Sequence, residues 1–151
     1  MKRRILLVDD DVTVLLTLKA VLEMHDFEVH TAASASEGIR MLEEGVYQMV
    51  ITDVRMETPE AGLRVIDFAR KQHYDPATAL LTAFPPQDGE WHTDDASSVL
   101  VKPVGTQDLV RQLEALLVSH ADAKAVREKA AITAVHSARS SSRRTLRRRV
   151  S

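Results

Sequence analysis

Four short apolar runs in this chain each end on residues able to do chemistry. Residues 5–8 (ILLV) are followed by Asp9, Asp10 and Asp11. Residues 47–52 are followed by Asp53, residues 77–82 end on Thr82, and residues 99–101 are followed by Lys102 and then Pro103. Clustered carboxylates repel one another, so a site that gathers them must raise a pKa or hold a cation. Oxygen ligands with room left for water suit Mg²⁺ better than zinc. A carboxylate beside such an ion can act as a nucleophile on phosphorus, while the metal and a lysine offset charge on the phosphoryl oxygens. A threonine hydroxyl can donate to one of those oxygens. An acidic run alone equally suits a solvated turn or a helix start, where acids complement the helix dipole. The set gains its meaning from placement, because each member follows a different strand, and ligands of open parallel α/β sheets bind beyond the carboxyl ends of the strands.

The elements that must deliver these residues are legible in the same pattern. The unbroken apolar run 5–8 reads as a strand buried on both faces. Val14, Leu18, Val21 and Leu22 then recur at helical spacing. Residues 27–31 read as a second strand, and Ser34 with Glu37 as a capping box that opens a helix, with Gly45 at its C-terminal end. Strands over 47–52, 77–82 and 99–101 follow, with a helical stripe from Leu63 through Ile66 between the first two. Thr106 can cap a last helix carrying Leu109, Leu113, Leu116 and Leu117. Alternating strands and helices predict an α/β fold: a doubly wound, five-stranded parallel sheet with helices on both faces. Between Thr82 and Lys102 the rhythm breaks. Pro85, Pro86 and Gly89 work against a long helix there, so a short or irregular fourth helix is expected.

A chain of 151 residues suits one domain and a short appendage. The net charge of -2 hides an asymmetry. Residues 1–120 carry 20 acidic and 11 basic side chains, whereas residues 121–151 carry 2 acidic and 9 basic ones. A boundary near His120 is therefore expected between a 1–120 domain and a 121–151 basic extension. The alanine-rich stretch 121–138 can prolong the last helix, and the arginine- and serine-rich stretch 139–151 is expected to be disordered in isolation. This tail has the charge to meet nucleic acid or an anionic surface through phosphate contacts. A solvated terminus is the favoured reading, because charge runs are usually solvated, and the tail has no aromatic residue to stack on bases. The absence of cysteine excludes disulfides and thiolate metal sites. No run approaches the roughly 20 apolar residues of a membrane span, and the start lacks the apolar length of a secretory signal, so a cytoplasmic protein is expected.

The segments ILLVDDD, VITDVRM, LLTA and VLVKP closely resemble those of response-regulator receiver domains, in order and at nearly the spacing of that family, over about residues 3–118. The resemblance implies a flavodoxin-like receiver fold with Asp53 as phosphoacceptor and Mg²⁺ as the cofactor. Asp9 and Asp10 would be the acidic pair, with Asp10, Asp53 and the Arg55 backbone carbonyl as direct metal ligands. Thr82 and Lys102 would contact the phosphoryl group, and the Lys102–Pro103 bond would often be cis. The implied partners are a histidine kinase or histidine phosphotransfer protein and a downstream protein target. The expected function is that of a single-domain response regulator, not an enzyme acting on a separate substrate. The stretch after residue 118 is expected not to hold a full effector domain.

The chain departs from the family in four places. The loop METPEAG lacks the usual early proline and has Ala61 where an acid precedes the glycine, although Gly62 is kept. The stretch from Thr82 to Lys102 is about two residues short, its helix is interrupted, and Val99 stands where a switch tyrosine or phenylalanine is common. Arg55 and Phe84 occupy positions that influence acyl-phosphate lifetime in the family. These departures motivate an alternative: a phosphorylation-independent interaction module.

Overall fold

The run 5–8 is buried on both sides, as its sequence requires: Ile5, Leu6, Leu7 and Val8 are each at most 2% exposed. In the computed structural model, which describes residues 2–83, 98–102 and 105–150, this run forms most of β1 (Arg3–Val8). After it come α1 (Val12–Met24), β2 (Phe27–Ala32), α2 (Ala35–Glu44), β3 (Met49–Asp53), α3 (Ala61–Arg70), β4 (Ala77–Thr82), β5 (Ser98–Val101) and α4 (Thr106–Val150). The five strands form one sheet in the order β2-β1-β3-β4-β5, and every pairing is parallel. This is the doubly wound, flavodoxin-like order. The winding reverses between β1 and β3, which makes the carboxyl ends of those two strands the switch point where such folds bind ligands.

Alternation along β1 sorts the core onto two faces. Ile5 and Leu7 pack with Met49 and Ile51 against Leu15 and Leu22 of α1 and Leu109, Val110 and Leu113 of α4. Leu6 and Val8 pack with Val50 against Ala35 and Leu42 of α2 and Ala61, Val65 and Ala69 of α3. Each fully buried large aliphatic side chain contributes about 1.5–3 kcal/mol, so both layers hold the strand ends in place. The expected capping box is present with its return bond shifted by one residue, to Ala33. Ser34 Oγ accepts from the Glu37 N–H at 3.1 Å, and the Glu37 carboxylate accepts in return from the Ala33 N–H at 3.1 Å.

The structure differs from the sequence reading at several boundaries. β3 starts at Met49 rather than at residue 47 and runs on to include Asp53. Tyr47 looks like a strand residue because it is apolar and aromatic. It is buried instead by side-chain contacts, with its hydroxyl 3.0 Å from His30 Nδ1 and its ring edge-on to that imidazole. Gly45 closes α2 with extended backbone (φ −132°); an added Cβ there would meet the Tyr47 ring at 3.2 Å. α4 begins at Thr106 itself, and the Gly105 carbonyl accepts from the Leu109 N–H.

The alanine-rich stretch prolongs the last helix, and α4 runs as far as Val150. Arginine ranks close to alanine in helix propensity, and adding a residue to an existing helix avoids the cost of nucleation. By its contacts the chain divides into two compact units, Met1–Leu117 and Val118–Ser151. Val118, Val126, Ile132 and Val135 are exposed in the second. Among the described residues no helix is long and apolar enough to cross a membrane. The fourth helix expected between Thr82 and Lys102, Phe84 and the Lys102–Pro103 bond lie outside the described residues.

Candidate functional site

The three consecutive aspartates have three different fates. The Asp9 N–H donates to the Ala32 carbonyl at 3.1 Å, which continues the β1–β2 ladder by one residue and turns the side chain inward. Asp9 is 3% exposed. Its Oδ1 accepts from the Asp11 N–H at 2.9 Å and its Oδ2 from Lys102 Nζ at 2.7 Å. Asp10 is exposed. Asp11 caps α1, accepting from the Thr13 and Val14 N–H groups, so its carboxylate serves the helix start.

Asp53 ends β3 at the other side of the switch point. Its Oδ1 accepts from the Val54 N–H at 2.8 Å, and its Oδ2 lies 3.5 Å from Lys102 Nζ. Lys102 directly follows β5, and its N–H donates to the Thr82 carbonyl at 2.8 Å. Thr82 ends β4 opposite Val101 and one residue past Leu81, the register partner of Asp53. It is buried, at 3% exposed. Four strands thus deliver the residues to one sheet edge. Asp9, Asp10 and Asp53 each present a carboxylate oxygen, all within 4.8 Å of one another. Arg55 lies two residues past Asp53 with its side chain exposed.

The electrostatics follow from this crowding. Burial raises the Asp53 pKa above the ordinary carboxylate range, and the Asp9 charge adds to that; Lys102 and the Val54 N–H only partly oppose them. Burial also acts to lower the Lys102 ammonium, but the hydrogen bond to Asp9 and the charges of Asp9 and Asp53 outweigh it, so its pKa is raised. Lys102 is therefore a fixed positive charge shared by two carboxylates. With three carboxylates and one ammonium, the fully ionised cluster retains two negative charges, the complement of a divalent cation. The donor set is oxygen only, which fits Mg²⁺.

Two further residues shape the site. The Gly62 N–H donates to the Val54 carbonyl at 2.9 Å, and a Cβ on Gly62 would lie 1.8 Å from the Asp53 carbonyl oxygen. Only glycine lets α3 start this close to the end of β3. Its presence in the familiar motif was the available signal. Glu57, in the β3–α3 loop, has both carboxylate oxygens 3.0 Å from the Ala35 N–H. That hydrogen bond holds its carboxyl below the usual range. No spacing rule reveals a contact of this kind, because it joins a loop to the start of a distant helix.

The profile of the response regulator receiver domain matches residues 5–114. The chain belongs to the response regulator receiver family. This receiver is 32% identical over 116 residues to the transcriptional regulatory protein PrrA of Mycobacterium bovis, a match covering 76% of the chain and 49% of PrrA. The chain thus spans about half the length of the curated relatives it matches first. Among solved structures it is similar to a CheY-like receiver domain protein from Methanospirillum hungatei, with a TM-score of 0.73 and 26% identity over 81% of this chain and 98% of that one. It is also similar to the response regulator TrrA of Thermotoga maritima, solved in complex with Mg(2+)-BeF, with a TM-score of 0.67 and 30% identity over 76% of this chain and 98% of that one.

Proposed function

We propose that this receiver accepts a phosphoryl group on Asp53, in an Mg²⁺-dependent reaction, from a histidine kinase or a histidine phosphotransfer protein, and that it signals by protein–protein contact in the cytoplasm. The observation that carries this reading is the Lys102 ammonium bridging Asp9 and Asp53, 2.7 and 3.5 Å away, beside a third carboxylate from Asp10.

Asp9, Asp10, Asp53 and the backbone carbonyl of Arg55 would hold the ion. When bound, Mg²⁺ supplies positive charge that screens the carboxylates and the phosphoryl oxygens. Asp53 attacks phosphorus through a carboxylate oxygen. The new O–P bond forms as the bond from phosphorus to the donor imidazole nitrogen breaks, and that nitrogen leaves with its electron pair. The hydrogen bond from Val54 fixes the Asp53 carboxylate against rotation during attack. Lys102 gives up its looser contact with Asp53 for a phosphoryl oxygen while its short one to Asp9 holds the ammonium in place to meet the charge. Thr82 donates its hydroxyl to another phosphoryl oxygen.

The test is incubation with a small phosphodonor, with and without Mg²⁺. A phosphoryl adduct that forms only with Mg²⁺ is expected; no adduct in either condition would contradict the proposal. The altered METPEAG loop supports a second reading, an interaction module indifferent to phosphorylation. A partner bound equally by wild type and Asp53→Ala without Mg²⁺ would favour that reading.

A further inference from the structure

We infer that Glu57 is a positioning residue for the cation site, tying the loop that carries Arg55 to the first residue of α2. This inference rests on the reading of the acidic cluster as an Mg²⁺ site, and it adds a residue that the sequence pattern did not mark.

The contact meets a need on each side. The N–H groups of the first helical turn have no partner within their own helix. In α2 the Ser34 hydroxyl takes the N–H of Glu37, which leaves those of Ala35 and Ser36, and Glu57 accepts from both. Ala35 is 0% exposed, so water cannot substitute. Both oxygens of Glu57 lie 3.0 Å from the Ala35 N–H, and a negative charge at a helix N-terminus is favoured by the dipole. Glu57 thus supplies α2 with a partner from outside the helix.

On its own side, Glu57 pins the middle of the loop. The start of the loop is fixed where the Val54 carbonyl accepts from Gly62 at 2.9 Å, and its end where the Ala61 N–H donates to Thr58 at 3.3 Å. Between these, the Met56 N–H donates to the Thr58 carbonyl at 3.1 Å, and the Met56 side chain packs against the α2–α3 face of the sheet. Arg55 therefore sits between two anchored points, Val54 on the strand side and Glu57 on α2. A backbone carbonyl is a useful ligand only when its direction is set in advance, and outer contacts that set ligand direction commonly change metal affinity by about 10- to 100-fold. Because Glu57 is exposed and reaches Arg55 only through two peptide units, a smaller effect is expected here, roughly 5-fold.

Calorimetric titration of the intact chain with Mg²⁺ tests this without any phosphodonor. Four proteins are compared: wild type, Glu57→Ala, Glu57→Gln and Ser34→Ala. Glu57→Ala is expected to weaken Mg²⁺ binding about 5-fold, and Glu57→Gln, which keeps an acceptor oxygen, to recover most of it. Ser34→Ala removes a different cap from the same helix without touching the loop, so it should lower the melting temperature while leaving the Mg²⁺ affinity unchanged. If Glu57→Ala and Ser34→Ala both lower stability and neither moves the Mg²⁺ affinity, Glu57 is only a helix cap and the inference fails. Equal weakening by both variants overturns it as well, since the effect would then belong to α2 as a whole. Should Glu57→Ala fail to fold, the ratio of Glu57→Gln to wild type still decides: more than a 5-fold loss with an acceptor oxygen present contradicts the role. Absence of Mg²⁺ binding by wild type overturns the reading of the acidic cluster itself, a result distinct from the others.

Discussion

The Asp53 carboxylate carries a charge that its surroundings disfavour. Its pKa is raised in the folded chain, so ionisation is harder there than in the unfolded chain. The sign follows from linkage. Stability from this group is fully present below the ordinary carboxylate range and is lost as pH rises through the raised folded value. Asp53→Asn removes the charge and keeps an oxygen to accept from Val54. Without divalent cation at neutral pH it should therefore be more stable than wild type, read as a higher melting temperature. In acid, below the carboxylate range, the difference should vanish. A variant less stable than wild type at neutral pH would contradict this picture of the cluster. At this scale the sequence was informative because chemistry-bearing residues directly follow apolar runs, and strand ends share one edge. It was silent on Glu57, whose partner Ala35 depends on how a loop lies across the start of α2.

The elements act as fixed arms whose ends must meet within ångströms. The tightest junction is between β3 and α3, where a Cβ on Gly62 would lie 1.8 Å from the Asp53 carbonyl oxygen and 2.8 Å from the Val54 Cα. Both neighbours are backbone and cannot rotate away. Gly62→Ala should therefore cost about 3 kcal/mol or more, measured by denaturant unfolding, and should impair phosphoacceptance by shifting the end of β3. A loss under about 1 kcal/mol would mean that the junction is softer than it looks. The capping box at Ser34 and Glu37, the five strands and the helix stripes were readable from periodicity and cap residues. The start of β3 was not, because Tyr47 carries a strand-like side chain that is buried through His30 instead. The cap of α1 was hidden for a related reason: three adjacent aspartates look alike in sequence, yet only Asp11 accepts from the first-turn N–H groups of that helix.

At the scale of the molecule, an acidic receiver unit and a basic helical unit share one chain, Met1–Leu117 and Val118–Ser151. Among the described residues, the buried ones of α4 are Leu109, Val110 and Leu113, with Leu116 and Leu117 packed against the same cluster. Val118, Val126, Ile132 and Val135 beyond them are exposed. A chain ending at His120 should thus lose helical circular dichroism in proportion to the residues removed, yet keep the melting transition and phosphoacceptance of the intact protein. A fall in melting temperature of more than about 5 °C, the equivalent of roughly 1 kcal/mol, would contradict the independence of the receiver core. In the sequence the charge balance changes from net acidic to net basic near His120. Arginine and serine together resemble the composition of disordered tails, while arginine alone favours helix.

The most direct test of Asp53 as phosphoacceptor is intact-mass measurement after incubation with Mg²⁺ and a small phosphodonor. Wild type should gain the mass of one phosphoryl group, lost again in hydroxylamine, and Asp53→Asn should gain none. An adduct of equal yield on Asp53→Asn, or none on wild type, would contradict the assignment.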